Sequence, residues 1–169
     1  RTEKVDAAKK LGATHVIDKS TQDLWAEAER IAPKGYDAVL DANGVSTLRA
    51  SYKHLRPTGR LVIYGFHSMM RKDGPGTPSW PKLAADWVRT PRFNPLDMTN
   101  DNKSVMAFNL SYLFEEKHLL EEAMERLMRL VKEGKIEPPP TQTFKLEAVA
   151  DAHRAIESGR TTGKLVLLT

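Results

Sequence analysis

Three residue pairs have the types and setting that could hold a ligand: Asn43-Gly44, Gly65-Phe66 and Phe108-Asn109. Each pair ends a short apolar run, at 36–42 (YDAVLDA), 60–65 (RLVIYG) and 103–108 (KSVMAF). Parallel sheets place ligands just beyond the carboxyl ends of their strands. Glycine there lets backbone and ligand come close. Other chemistry is poorly provided. His15, His54, His67, His118 and His153 show no metal-ligand spacing, there is no H-E-x-x-H, and the chain has no cysteine. Glu115-Glu116 and Glu121-Glu122 read as helix surface charges rather than an acid/base dyad. His153 lies on an apolar helix face and reads as a packed core histidine. No catalytic residue can be named, and no metal site is expected.

The elements that must position these pairs alternate between helix and strand. Helices are predicted over 3–11, about 21–32, about 46–55, about 81–89, about 115–133 and about 146–157. Ser20 with Asp23 makes a capping-type start for the second. Leu120, Met124, Leu127 and Val131 form the expected core stripe of the fifth. Strands are predicted at 14–18 (THVID), 36–42, 60–65, 103–108 and 164–168, with Pro57-Thr58-Gly59 as a turn and Pro138-Pro139-Pro140 as a stiff connector. Residues 67–102 form a Pro-rich insertion, in which Trp80 and Trp87 either cover a cleft or pack a local mini-core. This alternation means an α/β fold with a mostly parallel sheet.

Composition sets the outer limits. The chain has 169 residues, 40% hydrophobic and 28% charged, with a formal net charge of +4. This is the balance of an ordinary globular domain. No apolar run approaches the roughly 20 residues of a membrane helix. Lysine and arginine alternate with acidic residues, and the basic stretch at Arg89, Arg92 and Lys103 is diluted by prolines and aspartates. A solvated basic surface fits this better than a nucleic-acid groove. The modest positive balance also suits an anionic cofactor. With no cysteine and no secretory signal pattern, a cytoplasmic location is expected.

Four segments in order resemble the medium-chain dehydrogenase/reductase superfamily. KKLGATHVIDKS is similar to its LGA-x-x-VI(D/N) segment, and YDAVLDANG to its (Y/F)D-x-(V/I)-x-D-x-x-G segment. LRPTGRLVIYG matches L-x-x-x-G-x-x-(V/I)-x-x-G, and LEAVADAHRAIESGRTTGKLVLL matches the family's terminal A-H…GK-(L/V)-V-L pattern. The stretch PKLAADWVRTPRFNPLDM followed by KSVMAFNLSYLF most resembles the zinc-free, quinone-reductase-like branch that includes vesicle amine transport protein homologues.

The resemblance implies a partial Rossmann-type doubly wound parallel sheet. Residues 1–169 would be a partial dinucleotide-binding domain lacking its first two strands and Gly-rich turn, with the N-terminal catalytic domain absent. No G-x-G-x-x-G or A-x-G-x-V-G occurs in the sequence. In the family's strand order, 3-2-1-4-5-6, residues 14–18 would be strand 3 and 36–42 strand 4, with a two-strand gap between them. The implied activity is NADPH-dependent reduction of a quinone or related α,β-unsaturated carbonyl. The alternative is a non-catalytic binding or oligomerisation module that keeps the fold.

Residue by residue, the resemblance puts Lys4 and Arg1 where NADP-using relatives bind the adenosine 2′-phosphate; both also read as solvated charges at a helix start. Gly65 would lie beside the nicotinamide, or serve only as a turn glycine, and Tyr64 is a contact or a core aromatic. Phe108 and Asn109 would contact the nicotinamide amide, or be a buried Phe and a turn-closing Asn. Gly163-Lys164 would lie near the ribose and phosphates, or Lys164 would simply snorkel from a strand start. Asn43, Gly44 and Phe66 complete the implied cofactor set. Relatives commonly pair last strands edge to edge, so a homodimer through the edge at 103–108 is expected.

Overall fold

The computed structural model describes residues 2–67 and 79–169. They form two compact units. One runs from Asp23 to Glu115; the other joins the chain up to Gln22 with Glu116–Thr169.

In the first of these, the order is α2 (Leu24–Ile31), β1 (Tyr36–Asp41), α3 (Leu48–Lys53), β2 (Leu55–Ile63), α4 (Trp80–Arg89), α5 (Pro95–Asp101) and β3 (Ser104–Ala107); α1 (Thr2–Lys10) belongs to the other unit. The strands form one parallel sheet in the order β1-β2-β3. Asp23 caps α2, its carboxylate accepting from the Trp25 and Ala26 N–H groups at 3.0 and 2.8 Å. The cap is therefore Asp23 itself, and not the start at Ser20 that the sequence suggests. Leu48, Leu55, Leu61 and Ile63 are the buried core, with Val39, Tyr52, Phe93 and Val105 packed against it. Burying side chains of this size contributes about 1.5–3 kcal/mol each.

The expected turn at 57–59 survives as an excursion inside β2. Tyr36 pairs with Leu55, then Ala38 with Arg60, so residues 56–59 leave the register. Thr58 takes φ +69° there, and its N–H donates to the Asn102 carbonyl at 2.6 Å. Strand β1 is less buried than its apolar run suggests. Leu40 is 69% exposed because it lies on the sheet face it shares with Val62 and the 54%-exposed Met106, whereas the buried Leu61 and Ile63 lie on the other face.

Within the Pro-rich insertion, residues 68–78 lie outside the described residues. The remainder holds α4, as expected, and α5, which the sequence reading lacks. Asn94 caps α5 by accepting from the Leu96 N–H, and Pro95 opens it. Trp80 and Trp87 are exposed rather than packed in a mini-core. The Arg92 guanidinium lies over the Trp87 ring at 5.8 Å.

The other unit contains α1 (Thr2–Lys10), α6 (Lys117–Lys132), β4 (Thr141–Lys145), α7 (Val149–Glu157) and β5 (Lys164–Leu168). β4 and β5 pair in parallel, with α7 as the crossover. The Pro-rich connector thus leads into a strand the sequence reading lacks. Residues 14–18 form no strand. A strand exists by pairing, and nothing among the described residues pairs with this run. No α6 side chain is buried, and Met124 and Leu127 of its predicted stripe are exposed. His153 is exposed too; Ala152 is the buried residue of α7.

Candidate functional site

The parallel register of the three-stranded sheet sets Asp41 beside Ile63, and Ile63 beside Ala107. The three strands therefore end together, and the segments that follow line one edge. Hydrogen bonds carry the pairing past the strand ends. The Tyr64 N–H donates to the Asp41 carbonyl at 3.0 Å, His67 N–H to Ala42 at 3.0 Å, and Phe108 N–H to Ile63 at 3.1 Å. Asn43, Gly44, Gly65, Phe66, Phe108 and Asn109 are thus brought to one edge by backbone geometry alone.

Both glycines are required by close approach. Gly44 has φ +81°, and a Cβ on it would lie 2.5 Å from Phe66 Cδ1. A Cβ on Gly65 would lie 2.9 Å from the Ala42 carbonyl oxygen. The space a side chain would need is taken by the neighbouring strand exit, so the two exits pack closely, with Gly44 buried and Gly65 half-buried. Beside it, the Tyr64 and Phe108 rings stack with centroids 6.3 Å apart and planes 16° from parallel. Tyr64, Phe66 and Phe108 are each about half exposed. The edge presents flat apolar faces to its surroundings, and Phe108 is not the buried residue of the blander reading. Asn109 spends its side-chain oxygen locally, accepting from the Ser111 N–H at 3.1 Å to cap a short 3₁₀ turn, Leu110–Tyr112.

Under this edge sits a residue that sequence reasoning missed. Asp41 is buried and accepts from the Asn43 N–H at 2.8 Å, the Gly44 N–H at 3.0 Å, the Thr47 hydroxyl at 2.7 Å and the Ser51 hydroxyl at 2.7 Å. Burial pushes its carboxyl up, but the hydrogen bonds from Gly44, Ser51, Thr47 and Asn43 outweigh it and hold the group below the usual carboxylate range. The signal was present. An aspartate closing a strand, a glycine three residues on, and two hydroxyls four apart on the next helix face describe such a nest.

Lys4 and Lys164 lie in the other unit. Lys4 is half-buried in the first part of α1. Lys164 is exposed at the first position of β5, its N–H donating to the Pro140 carbonyl at 2.9 Å after Gly163 turns at φ +82°. Arg1 lies outside the described residues. Among the described residues no three metal-ligating side chains cluster, and the chain has no cysteine. The described residues do not fit a zinc centre. The half-exposed aromatic faces at the strand exits fit the nicotinamide end of a dinucleotide.

Parallel strands joined by helices, ending together at a glycine-lined edge, define a Rossmann-type α/β fold. The chain belongs to the zinc-binding dehydrogenase family, within the medium-chain dehydrogenase/reductase superfamily, with the family model matching residues 11–167. It is 35% identical over 158 residues to a synaptic vesicle membrane protein VAT-1 homolog of Danio rerio, covering 94% of this chain and 32% of that protein. It is 31% identical over 168 residues to a 2-haloacrylate reductase of Burkholderia sp, covering 98% of this chain and 45% of that protein. A Pseudomonas syringae quinone oxidoreductase shares the fold at a TM-score of 0.69 and 23% identity, over 100% of this chain and 47% of that one. The chain spans less than half the length of these relatives. Among the described residues no helix is long and apolar enough to cross a membrane.

Proposed function

We propose that this chain is the cofactor-binding portion of an NADPH-dependent oxidoreductase that reduces quinones or related α,β-unsaturated carbonyls. The observation that carries this reading is the shared edge at the three strand ends, closely packed at Gly44 and Gly65, with the half-exposed, stacked Tyr64–Phe108 pair on it. A reduced nicotinamide supplies hydride when bound. The two glycines let the strand exits pack closely, and the half-exposed aromatics offer flat faces that exclude water from the ring's vicinity. Asn43, Phe66, Phe108 and Asn109 complete the contacts; since Asn109 Oδ1 caps its own turn and its carbonyl accepts from Tyr112 N–H, its side-chain NH2 is the group it offers the cofactor. Lys4 at α1 supplies a cation for the adenosine 2′-phosphate, and Lys164 one for the ribose and phosphate side. The name of the 2-haloacrylate reductase supports reduction of an activated double bond.

On this reading the Gly-rich phosphate turn and the N-terminal catalytic domain lie outside residues 1–169, and the enzyme is zinc-free, dimeric and cytoplasmic. The test is NADPH oxidation by the full-length protein with a quinone or an enone as acceptor. Turnover with either, faster with NADPH than NADH, is expected; no turnover with any such acceptor overturns the reading. Residues 1–169 alone should bind NADPH weakly or not at all, because the amides that hold the pyrophosphate are elsewhere. Micromolar binding by calorimetry would contradict that.

A second reading, a non-catalytic binding or oligomerisation module, draws on the other unit. Leu119, Met124, Leu127 and Met128 of α6 are all exposed, an apolar face of the kind that takes a partner. Failure of cofactor binding by the full-length protein would favour it.

A further inference from the structure

Asp41 is 3% exposed, and its described partners are all neutral: two backbone N–H groups and two hydroxyls. Among the described residues no ion pair involves it. Holding the Asn43-Gly44 turn does not by itself demand a charge. An asparagine oxygen accepts the same two N–H groups, and the Thr47 and Ser51 hydroxyls can rotate to accept from an amide. Desolvating a carboxylate is costly, and the four donors serve to offset that cost. The negative charge is thus surplus to the geometry of the turn. It sits directly beneath the Asn43-Gly44 turn at the strand-exit edge.

We propose that Asp41 is a positioning residue whose buried charge, beneath the Asn43-Gly44 turn, favours a cationic ring at this edge over a neutral one. It rests on the reading that the nicotinamide binds there. The oxidised nicotinamide ring is cationic and the reduced ring is neutral. A fixed negative charge close to the ring therefore strengthens binding of the oxidised form relative to the reduced form. Few water molecules reach the Asp41 carboxylate itself, so its field is damped less than that of a surface residue. The open edge still screens it, and a shift of about three- to tenfold in the ratio of the two affinities is the scale to look for.

The experiment measures dissociation constants for NADP⁺ and NADPH with the full-length protein, by calorimetry and cofactor fluorescence. Asp41→Asn should weaken NADP⁺ about three- to tenfold more than NADPH. A merely structural role would weaken both alike. Asn43→Asp tests the same idea from the opposite side, keeping the backbone N–H that Asn43 gives to Asp41. It adds a charge at the turn and should move the ratio toward NADP⁺. Equal losses in Asp41→Asn overturn the proposal, as does an unmoved ratio in Asn43→Asp should Asp41→Asn not fold. If the unmodified protein binds neither form, the reading of the site falls, and the proposal with it.

Discussion

Gly44 and Phe66 meet at the carboxyl edge of the sheet so closely that a Cβ on the glycine would lie 2.5 Å from Phe66 Cδ1 and 3.0 Å from Phe66 Cα. The contact ties the exit of β1 to the exit of β2. Gly44 also takes φ +81°, a conformation that residues with a Cβ adopt at a cost. Gly44→Ala should therefore destabilise the protein by about 1–3 kcal/mol. Adding Phe66→Ala should recover only part of this, since the backbone strain and the Phe66 Cα remain. Urea unfolding of the single and double variants checks it; full recovery in the double variant would show that the side-chain clash alone was at issue.

Asp41 makes stability depend on acid. Its carboxyl is held below the ordinary value of 3.8 in the folded chain, burial opposing and four hydrogen bonds prevailing. A depressed folded pKa contributes stability that is fully present above the unfolded value and is lost as pH falls through the folded one. The urea midpoint should thus hold steady from about pH 7 to about pH 5 and fall below about pH 4. Asp41→Asn should flatten part of that fall. Asp18, held low by the Ser20 hydroxyl and N–H, titrates in the same sense and leaves a remainder. A variant whose acid loss matches the unmodified protein would show that Asp41 is not a contributor.

The cofactor's 2′-phosphate supplies the next prediction. If Lys4 meets that dianion, Lys4→Glu in the full-length protein should weaken NADPH by about tenfold or more and leave NADH nearly unchanged, as loss of a charge-assisted contact implies. Parallel titrations with the two cofactors measure it. Equal losses would mean that Lys4 is a solvated charge at the start of α1.

What could be read in the sequence was the local part of the fold. Apolar runs at 36–42, 60–65 and 103–108 became β1, β2 and β3 because each is short and strongly patterned. Asn43-Gly44 and Gly65-Phe66 were legible as a site because strand exits in a parallel sheet fall on one side. Partnership was not legible. Residues 14–18 are as β-rich as any strand, yet form none where nothing pairs with them. The stripe on α6 reports that the helix is amphipathic and not what covers it, so Met124 and Leu127 stand exposed. The same holds for His153. Asn94-Pro95 and the Asp41, Gly44, Thr47, Ser51 set are both present as patterns; the first is obscured by the surrounding prolines, the second by its spread over a strand end, a turn and the next helix.

The edge of β3 makes the last prediction specific. Among the described residues β3 pairs with β2 alone, and Met106 is 54% exposed. Because the Phe108 N–H donates to Ile63, alternation along the strand turns the Met106 and Ser104 N–H groups toward β2 and those of Val105 and Ala107 outward. An outward row of donors invites a second strand, and a two-fold copy of the same edge is the commonest way to satisfy it. Proline at either outward position removes a donor for that pairing while leaving the ladder to β2 complete. Val105 also packs against Leu48, Leu55, Leu61 and Ile63, so Val105→Pro perturbs the core as well. Ala107→Pro, on an exposed position, separates the two effects. Sedimentation at low micromolar concentration should show a dimer for the unmodified protein and a weakened one for both variants, with stability retained in Ala107→Pro. A monomer with no concentration dependence in the unmodified protein would remove β3 as a dimer edge.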